Sequence, residues 1–540
     1  RSTLQQLYNV LMMLDVHDGQ YEAALEKIGR MRDLEDKITG RLTMGLISTA
    51  IMRARLAAGS DSTKYIEAFV ADLAGSLDEL PWETVQQRIE ELRGRYAMRS
   101  ENFLLGILET EYGDAVRQTG QVGNEAAYRV IAYQYIITQQ LPLQEHILAV
   151  FEEYIARHRT EKVDIWQDRN VDLAGTRDLT PVVIGIWDSG VDTTLFSDRL
   201  FINWEETPNN RDDDDNGYVD DIHGIAYTFE EERTPDMLYP LDASAEELSR
   251  MKVLTKGLFD LLAGIASQQA QSLQQYMMNL KPQDVGSFME ALGGFAHYNH
   301  GTHTAGVAVA GNPAARILIA RLTVDHSVPP PIPTIERAEK AARSYAETIE
   351  YFKVHGVRVV NMSWGGTLRG TEEDLELNGV GADAEERAQR AREIFDIERN
   401  GLYQAIENAP DILFVCAAGN ENDDVVFEEY YPASFDLPNV MAVGAVDQSG
   451  RETSFTSFGD IVRVYGNGYE VSRGPLLGEL LPFILVDESE QIVSGNGASL
   501  IVGALAQVCL VTAVVEVQIE ARGLAGAPDE QARQQQGDGR

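Results

Sequence analysis

Three short stretches of this chain carry side chains that could do chemistry together: WDSGVD from Trp187, HYNHGTHTAG from His297 and FVCAAGNEND from Phe414. Asp188 closes the apolar run VVIGI, which sets a carboxylate at the C-terminal end of a strand, the edge where ligands bind in open α/β sheets. A plain structural cap is the other use of such an aspartate. His300 and His303 flank Gly301 and Thr302. An imidazole near neutral pKa can take a hydroxyl proton and return it to a leaving group, provided a carboxylate fixes its tautomer. Metal is the minor reading, because no glutamate stands where the HExxH arrangement needs its general base. Asn420 follows an apolar strand through two small residues and a glycine. Its neutral amide could donate to a developing oxyanion, or it could simply hold a turn.

These residues lie far apart in the chain, so only folding can join them. From Pro181 onward short apolar runs are closed by Gly or Asp: VVIGIWDSG, ARILIARLTVD, VRVVNMSWGG, ILFVCAAGN and NVMAVGAVD. Each has strand length and is apolar on both faces, as a parallel sheet covered by helices requires. The class is α/β, with helices flanking a mostly parallel sheet. Two stretches read as helical insertions. Residues 229–295 hold a capping box, Ser244 to Glu247, followed by Leu248, Met251, Leu258 and Leu262 on one face. Residues 370–409 hold a charged helix starting near Asp383. Residues 1–160 have apolar residues at helical spacing, Leu4, Leu7, Leu11 and Leu14, then Tyr21, Leu25 and Ile28 after an Asp18-Gly19 turn. This predicts an all-helical N-terminal domain, faintly tetratricopeptide-like in its first pair but without a fixed repeat. Residues 161–180 are polar and unpatterned and read as a linker.

In this order and at these strand ends, the Asp-Ser-Gly turn, HGTHTAG, NMSWGG and VCAAGN resemble the subtilisin-like serine peptidases, the subtilases. The resemblance covers residues 181–515 and implies a hydrolase, a serine endopeptidase of Asp-His-Ser type needing no catalytic cofactor. By position, Asp188 resembles the aspartate that orients the base, His300 the general base and Asn420 the oxyanion-hole amide. Ser363, Trp364 and Gly365 match the segment whose backbone pairs with a polypeptide substrate as an added strand.

The resemblance departs at the nucleophile. Where the family has a segment like SGTSMASP, this chain has VSGNGASLIVGALA, which puts Gly497 at the serine's place. Ser499, two residues on, is the substitute candidate, and Ser494 lies just before. At 1.5 Å per helical residue Ser499 sits about 3 Å along the axis, which makes it a poor replacement without backbone adjustment. A catalytically inactive pseudopeptidase binding peptides or a protein partner is therefore the alternative to an active enzyme, and an altered C-terminal segment is a third explanation. The tail 516–540 is Ala-, Gln- and Arg-rich and reads as disordered.

A further site is suggested by RDDDDNGYVDDIHG. Asp212, Asp214, Asn216 and Asp220 fall at positions 1, 3, 5 and 9 of an EF-hand-type loop, with Gly217 at its sharp turn. His223 occupies position 12 in place of the bidentate glutamate, so structural calcium competes with a solvated acidic turn. Net charge is −40, with 85 acidic against 45 basic residues, which excludes nucleic acid and anionic membrane as general partners. Hydrophobic residues make up 44%, enough for a core and against global disorder. The uncharged run Ala498 to Val515 contains Ser499, Gln507 and Thr512 and lacks Lys or Arg flanks, so it reads as a buried helix and not a membrane span. Cys416 and Cys509 are too few for a disulfide framework and read as buried hydrophobes. The helical N-terminal domain could take a protein partner. Compartment stays open: the chain shows no signal peptide, while the family resemblance favours a secreted or cell-envelope setting.

Overall fold

The computed structural model describes residues 2–468 apart from 60, 161, 167–168, 170–171 and 263–266. Ser494, Gly497, Ser499, the apolar run with Cys509, and the tail 516–540 lie outside the described residues.

All five apolar runs are strands. In chain order the strands are β1 (Val182–Asp188), β2 (Gly224–Tyr227), β3 (Arg233–Thr234), β4 (Ala315–Arg321), β5 (Val359–Met362), β6 (Leu413–Ala417), β7 (Val440–Val446) and β8 (Val464–Asn467). They form one sheet in the order β3-β2-β4-β1-β5-β6-β7-β8, parallel except for the β2–β3 pair. The register pairs Asp188 with Arg321, Trp187 with Met362, and Met362 with Cys416. The strand ends that carry Asp188, Ser363 and Asn420 therefore share one edge.

Side chains alternate between two cores, as the period of two demands. Ile184, Ile186, Ile317 and Ile319 enter one core together with Ala305 and Ala308 of the helix Val285–Ala308. Trp187, Leu318, Val360 and Phe414 enter the other with Phe352 and Phe395. This alternation points Asp188, in step with Ile184 and Ile186, toward the helix that carries His300.

Helices run from Ser2–His17 to Gln144–His158, as the spacing predicts. In the first helix, however, Leu4, Leu7, Leu11 and Leu14 are 37–52% exposed, and Met12, Met13 and Val16 are buried instead. The helix was legible; its inward face is the neighbouring one. Among the described residues no helix is long and apolar enough to cross a membrane.

Both insertions are helical. Ser244 and Glu247 close the capping box in both directions, Glu247 N–H to Ser244 Oγ at 3.2 Å and Ser244 N–H to Glu247 Oε2 at 2.8 Å. Asp383 caps Ala384–Glu407 by accepting from Glu385 and Glu386 N–H. Leu104 and Ile107 of the N-terminal helices share a core with Met251, Phe288 and Leu292 of the first insertion. A Cβ on Gly106 would stand 2.3 Å from Val285, so the helices Glu101–Thr119 and Val285–Ala308 meet nearly backbone to side chain. Part of the segment read as a linker is fixed to the sheet's far end. Lys162 pairs with Asp447 at 2.8 Å, and Trp166 Nε1 donates to the Asp447 carbonyl at 3.2 Å.

Candidate active site

Asp188 and His300 are 112 residues apart in sequence and in direct contact in space: His300 Nδ1 lies 2.6 Å from Asp188 Oδ1. Both are buried, each 3% exposed. The Ser189 N–H donates to the same carboxylate oxygen at 2.7 Å, and Thr304 Oγ1 donates to Oδ2 at 3.3 Å. His300 and Thr304 are four apart on one helix, so one face grips both carboxylate oxygens. With Nδ1 engaged by the carboxylate, the tautomer leaves His300 Nε2 free to accept a proton, and that atom is buried without a partner among the described residues.

The close seat of this helix depends on glycine. A Cβ on Gly301 would come within 2.2 Å of the Gly190 carbonyl oxygen, so only glycine lets the helix backbone touch the turn after β1. The Ser189 hydroxyl locks that contact, donating to the His297 carbonyl at 2.6 Å and accepting from the Gly301 N–H at 3.2 Å. The helix begins at Val285, well before His300. Asp188 is thus held by Ser189 and Thr304. Their signal in the sequence was polarity within otherwise small and apolar runs.

Asn420 ends the turn after β6 and is buried at 4% exposure. Gly419 supplies the left-handed conformation there, at φ +99°. β6 lies two strands from β1, so the ends of these two strands are about 10 Å apart across the sheet at the usual strand spacing. The Asn420 N–H donates to Glu421 Oε2 at 2.7 Å. Burial pushes the Glu421 carboxyl above its ordinary range.

Between them, after β5, lie Ser363, Trp364 and Gly365. Ser363 is buried and accepts from Asn361 Nδ2 at 3.1 Å. The Trp364 ring packs edge-on against Trp187 at 5.1 Å and beside Tyr345 at 5.7 Å, so it belongs to the aromatic core. Gly365 is exposed. A Cβ there would lie 2.4 Å from the Tyr431 carbonyl oxygen, and Gly366 exchanges two 3.0 Å backbone hydrogen bonds with Tyr431.

His303 is buried on the helix but joins no set of three metal-ligating groups among the described residues. His297, one turn before His300, stacks on Tyr239 at 5.4 Å. Burial, reinforced by His300 and His326, depresses its pKa to about 3 and keeps it neutral. Cys416 is fully buried in β6, its thiol pushed up by desolvation, which makes it a packing residue.

The acidic loop brings together Asp212, Asp214 and a residue outside the motif, Glu206, with carboxylate oxygens within 4.8 Å of one another. Glu206 Oε2 is buried without a partner among the described residues. Burial raises the Glu206 pKa, partly opposed by N–H donors from Asp213 and Asp214. The other two motif residues turn elsewhere. Asp220 accepts from the Asn209 and Asn210 N–H groups, and the Asn216 amide donates to Asp214 and Asp221. Three converging carboxylates with one orphaned oxygen suit a hard, oxygen-ligated cation.

A mostly parallel sheet thus carries a carboxylate–imidazole pair and a buried turn amide on one edge. Residues 292–482 match the family model described as Subtilase family, a span that includes His300, Ser363 to Gly365 and Asn420 but neither Asp188 nor Ser499. The thermostable alkaline protease of Halalkalibacterium halodurans is 29% identical over 174 residues, 32% of this chain and 38% of that protein. The cuticle-degrading serine protease of Arthrobotrys oligospora is 35% identical over 97 residues, 18% of this chain and 20% of that protein. The chain thus spans well under half the length of these curated relatives. A cold adapted subtilisin-like serine proteinase overlaps at a TM-score of 0.28 and 14% identity, covering 63% of this chain and 76% of that one, a likeness too slight to add to the sheet order. Over residues 292–482 the chain is thus similar to the subtilisin-like serine peptidases.

Proposed function

We propose that the chain hydrolyses peptide bonds in polypeptides by acyl transfer to water. The observation that carries this reading is the 2.6 Å Asp188–His300 contact, with Nε2 left buried and without a partner among the described residues. A serine hydroxyl gives its proton to His300 Nε2 as its oxygen attacks the scissile carbonyl, and the imidazolium hands that proton to the leaving amine. Asp188 holds the ring and stabilises the imidazolium. The Asn420 amide donates to the oxyanion, and an extended substrate lies along the backbone of Ser363 to Gly365 as an added strand. Ser499 is the candidate nucleophile.

The second reading, a peptide-binding pseudopeptidase, rests on Gly497 at the usual serine position. Fluorophosphonate labelling followed by peptide mapping separates the two. A labelled serine between Ser494 and Ser499 is the expected result, whereas no label together with retained peptide binding sinks the hydrolase.

We also propose that Glu206, Asp212 and Asp214 hold calcium, whose role there is to neutralise converging charge and not to take part in catalysis. Removing calcium with EGTA is expected to lower Tm by several degrees in the parent and by nothing in Asp214→Asn. Equal shifts in both would place the effect elsewhere.

A further inference from the structure

The N-terminal helical region reaches into the loop behind the oxyanion turn. Lys37, at the start of the helix Ile38–Thr43, has a side chain only 9% exposed. Its ammonium donates to the carbonyl oxygens of Thr453 at 3.0 Å, Ser454 at 3.4 Å and Thr456 at 2.6 Å, and it lies 5.6 Å from the centre of the Phe458 ring. Glu452 lies 3.9 Å from the same ammonium. Lysine has three donors, and here three backbone carbonyls of one loop face them. A second residue from the same region, Glu91, accepts from Ser454 Oγ at 2.8 Å.

The far side of that loop holds the turn that carries Asn420. The Ser457 N–H donates to the Gly419 carbonyl at 2.9 Å, Ser457 Oγ accepts from the Glu421 N–H at 3.2 Å, and the Asn422 N–H donates to the Phe455 carbonyl at 2.9 Å. The residues on both sides of Asn420 are therefore hydrogen-bonded to a loop whose outer carbonyls are gathered by Lys37. Buried carbonyls and a buried ammonium are each costly alone and satisfy one another here.

We propose that Lys37 is a positioning residue for the Asn420 amide, which makes the N-terminal helices part of the catalytic apparatus. This rests on the reading of Asn420 as oxyanion donor. Lys37 does not touch substrate; it sets the loop, and the loop sets the turn. Because a displacement near 1 Å can cost about 100-fold in rate, even a fraction of that displacement lowers kcat about tenfold.

The test uses the full chain labelled with ¹⁵N-asparagine, the Asn420 side-chain amide signal being assigned through Asn420→Asp. Lys37→Met is expected to move that signal and, in a parent that turns over peptide, to lower kcat about tenfold with KM within about twofold. Lys37→Gln, which keeps two donors on a shorter stem, takes the place of Lys37→Met if the latter does not fold, with the same outcomes expected. The control is Glu376→Gln, which loosens a different contact of the same region, where Glu376 accepts from the Glu125 and Ala126 N–H groups. It is expected to lower Tm and leave both the Asn420 signal and kcat in place. An unmoved Asn420 signal in a folded Lys37 variant overturns the proposal, as does a kcat loss matched by Glu376→Gln. If the parent shows no turnover, the hydrolase reading fails by itself, and the amide signal still decides the role of Lys37.

Discussion

Replacing His297 with phenylalanine should make the protein more resistant to acid. The imidazole is buried, stacked on Tyr239, and its Nε2 has no partner among the described residues. His300 and His326 face it as further potential positive charges, while Asp188 and Asp325 oppose them more weakly, and the pKa sits at about 3. In the unfolded chain the ordinary value is about 6.5, so between 6.5 and 3 the unfolded state binds the extra proton and stability falls as pH falls. Each pH unit well inside that window is worth about 1.4 kcal/mol, and because the unfolded imidazole is only half protonated at 6.5, roughly 2 kcal/mol is lost from this group between pH 6.5 and 4.5. Phenylalanine keeps the stack on Tyr239, and the 2.6 Å hydrogen bond from Ser189 goes to the residue's backbone carbonyl, which any side chain preserves. Urea unfolding followed by tryptophan fluorescence at both pH values, for parent and His297→Phe, gives the double difference in which all other titrating groups cancel. The variant should lose about 2 kcal/mol less than the parent on acidification. Equal losses in the two proteins would refute the assignment of a neutral buried imidazole.

Asp188→Asn should lower kcat by about 10⁴ on a peptide substrate with little change in KM, since the amide presents the wrong partner to Nδ1 and reverses the tautomer. Asn420→Ala should lower kcat by about 10²–10³, read in the same steady-state assay, because one donor to the oxyanion is lost. Glu111 is fully buried, both its oxygens lack partners among the described residues, and burial lifts its pKa to about 7 despite the neighbouring Arg129. Its folded pKa is raised, so its contribution is fullest below pH 4.5 and is lost as pH climbs through 7. Glu111→Gln should therefore flatten the fall in Tm between pH 5 and 8, and an unchanged slope would count against it.

Much of the sheet was readable because its strands are buried on both faces and so stand out as unbroken apolar runs. β2, β3 and β8 escaped notice because two to four residues carry no period. The pairing of Asp188 with His300 was legible from motif and strand end, but its supports were not. Ser189 and Thr304 matter through where they lie across a glycine contact, and spacing does not record that. Glu206 escaped the acidic motif for a similar reason: it precedes the loop and folds back under it. The outward leucines of the first helix show the limit of periodicity, which finds a stripe without saying which neighbour will cover it.

The helix Val285–Ala308 is a rod of 24 residues, roughly 36 Å long. One end is gripped where Gly106 meets Val285 and Gly286 meets Thr110; the other is sunk in the sheet's core through Ala305 and Ala308. His300 rides about 12 Å from the sunken end, so a tilt of roughly 5° swings the imidazole by about 1 Å, a movement on the scale that costs two orders of magnitude in rate. On the hydrolase reading proposed above, the aim of His300 Nε2 also depends on a clamp well outside the cleft, and damage to that clamp is expected to register as lost turnover before it registers as unfolding.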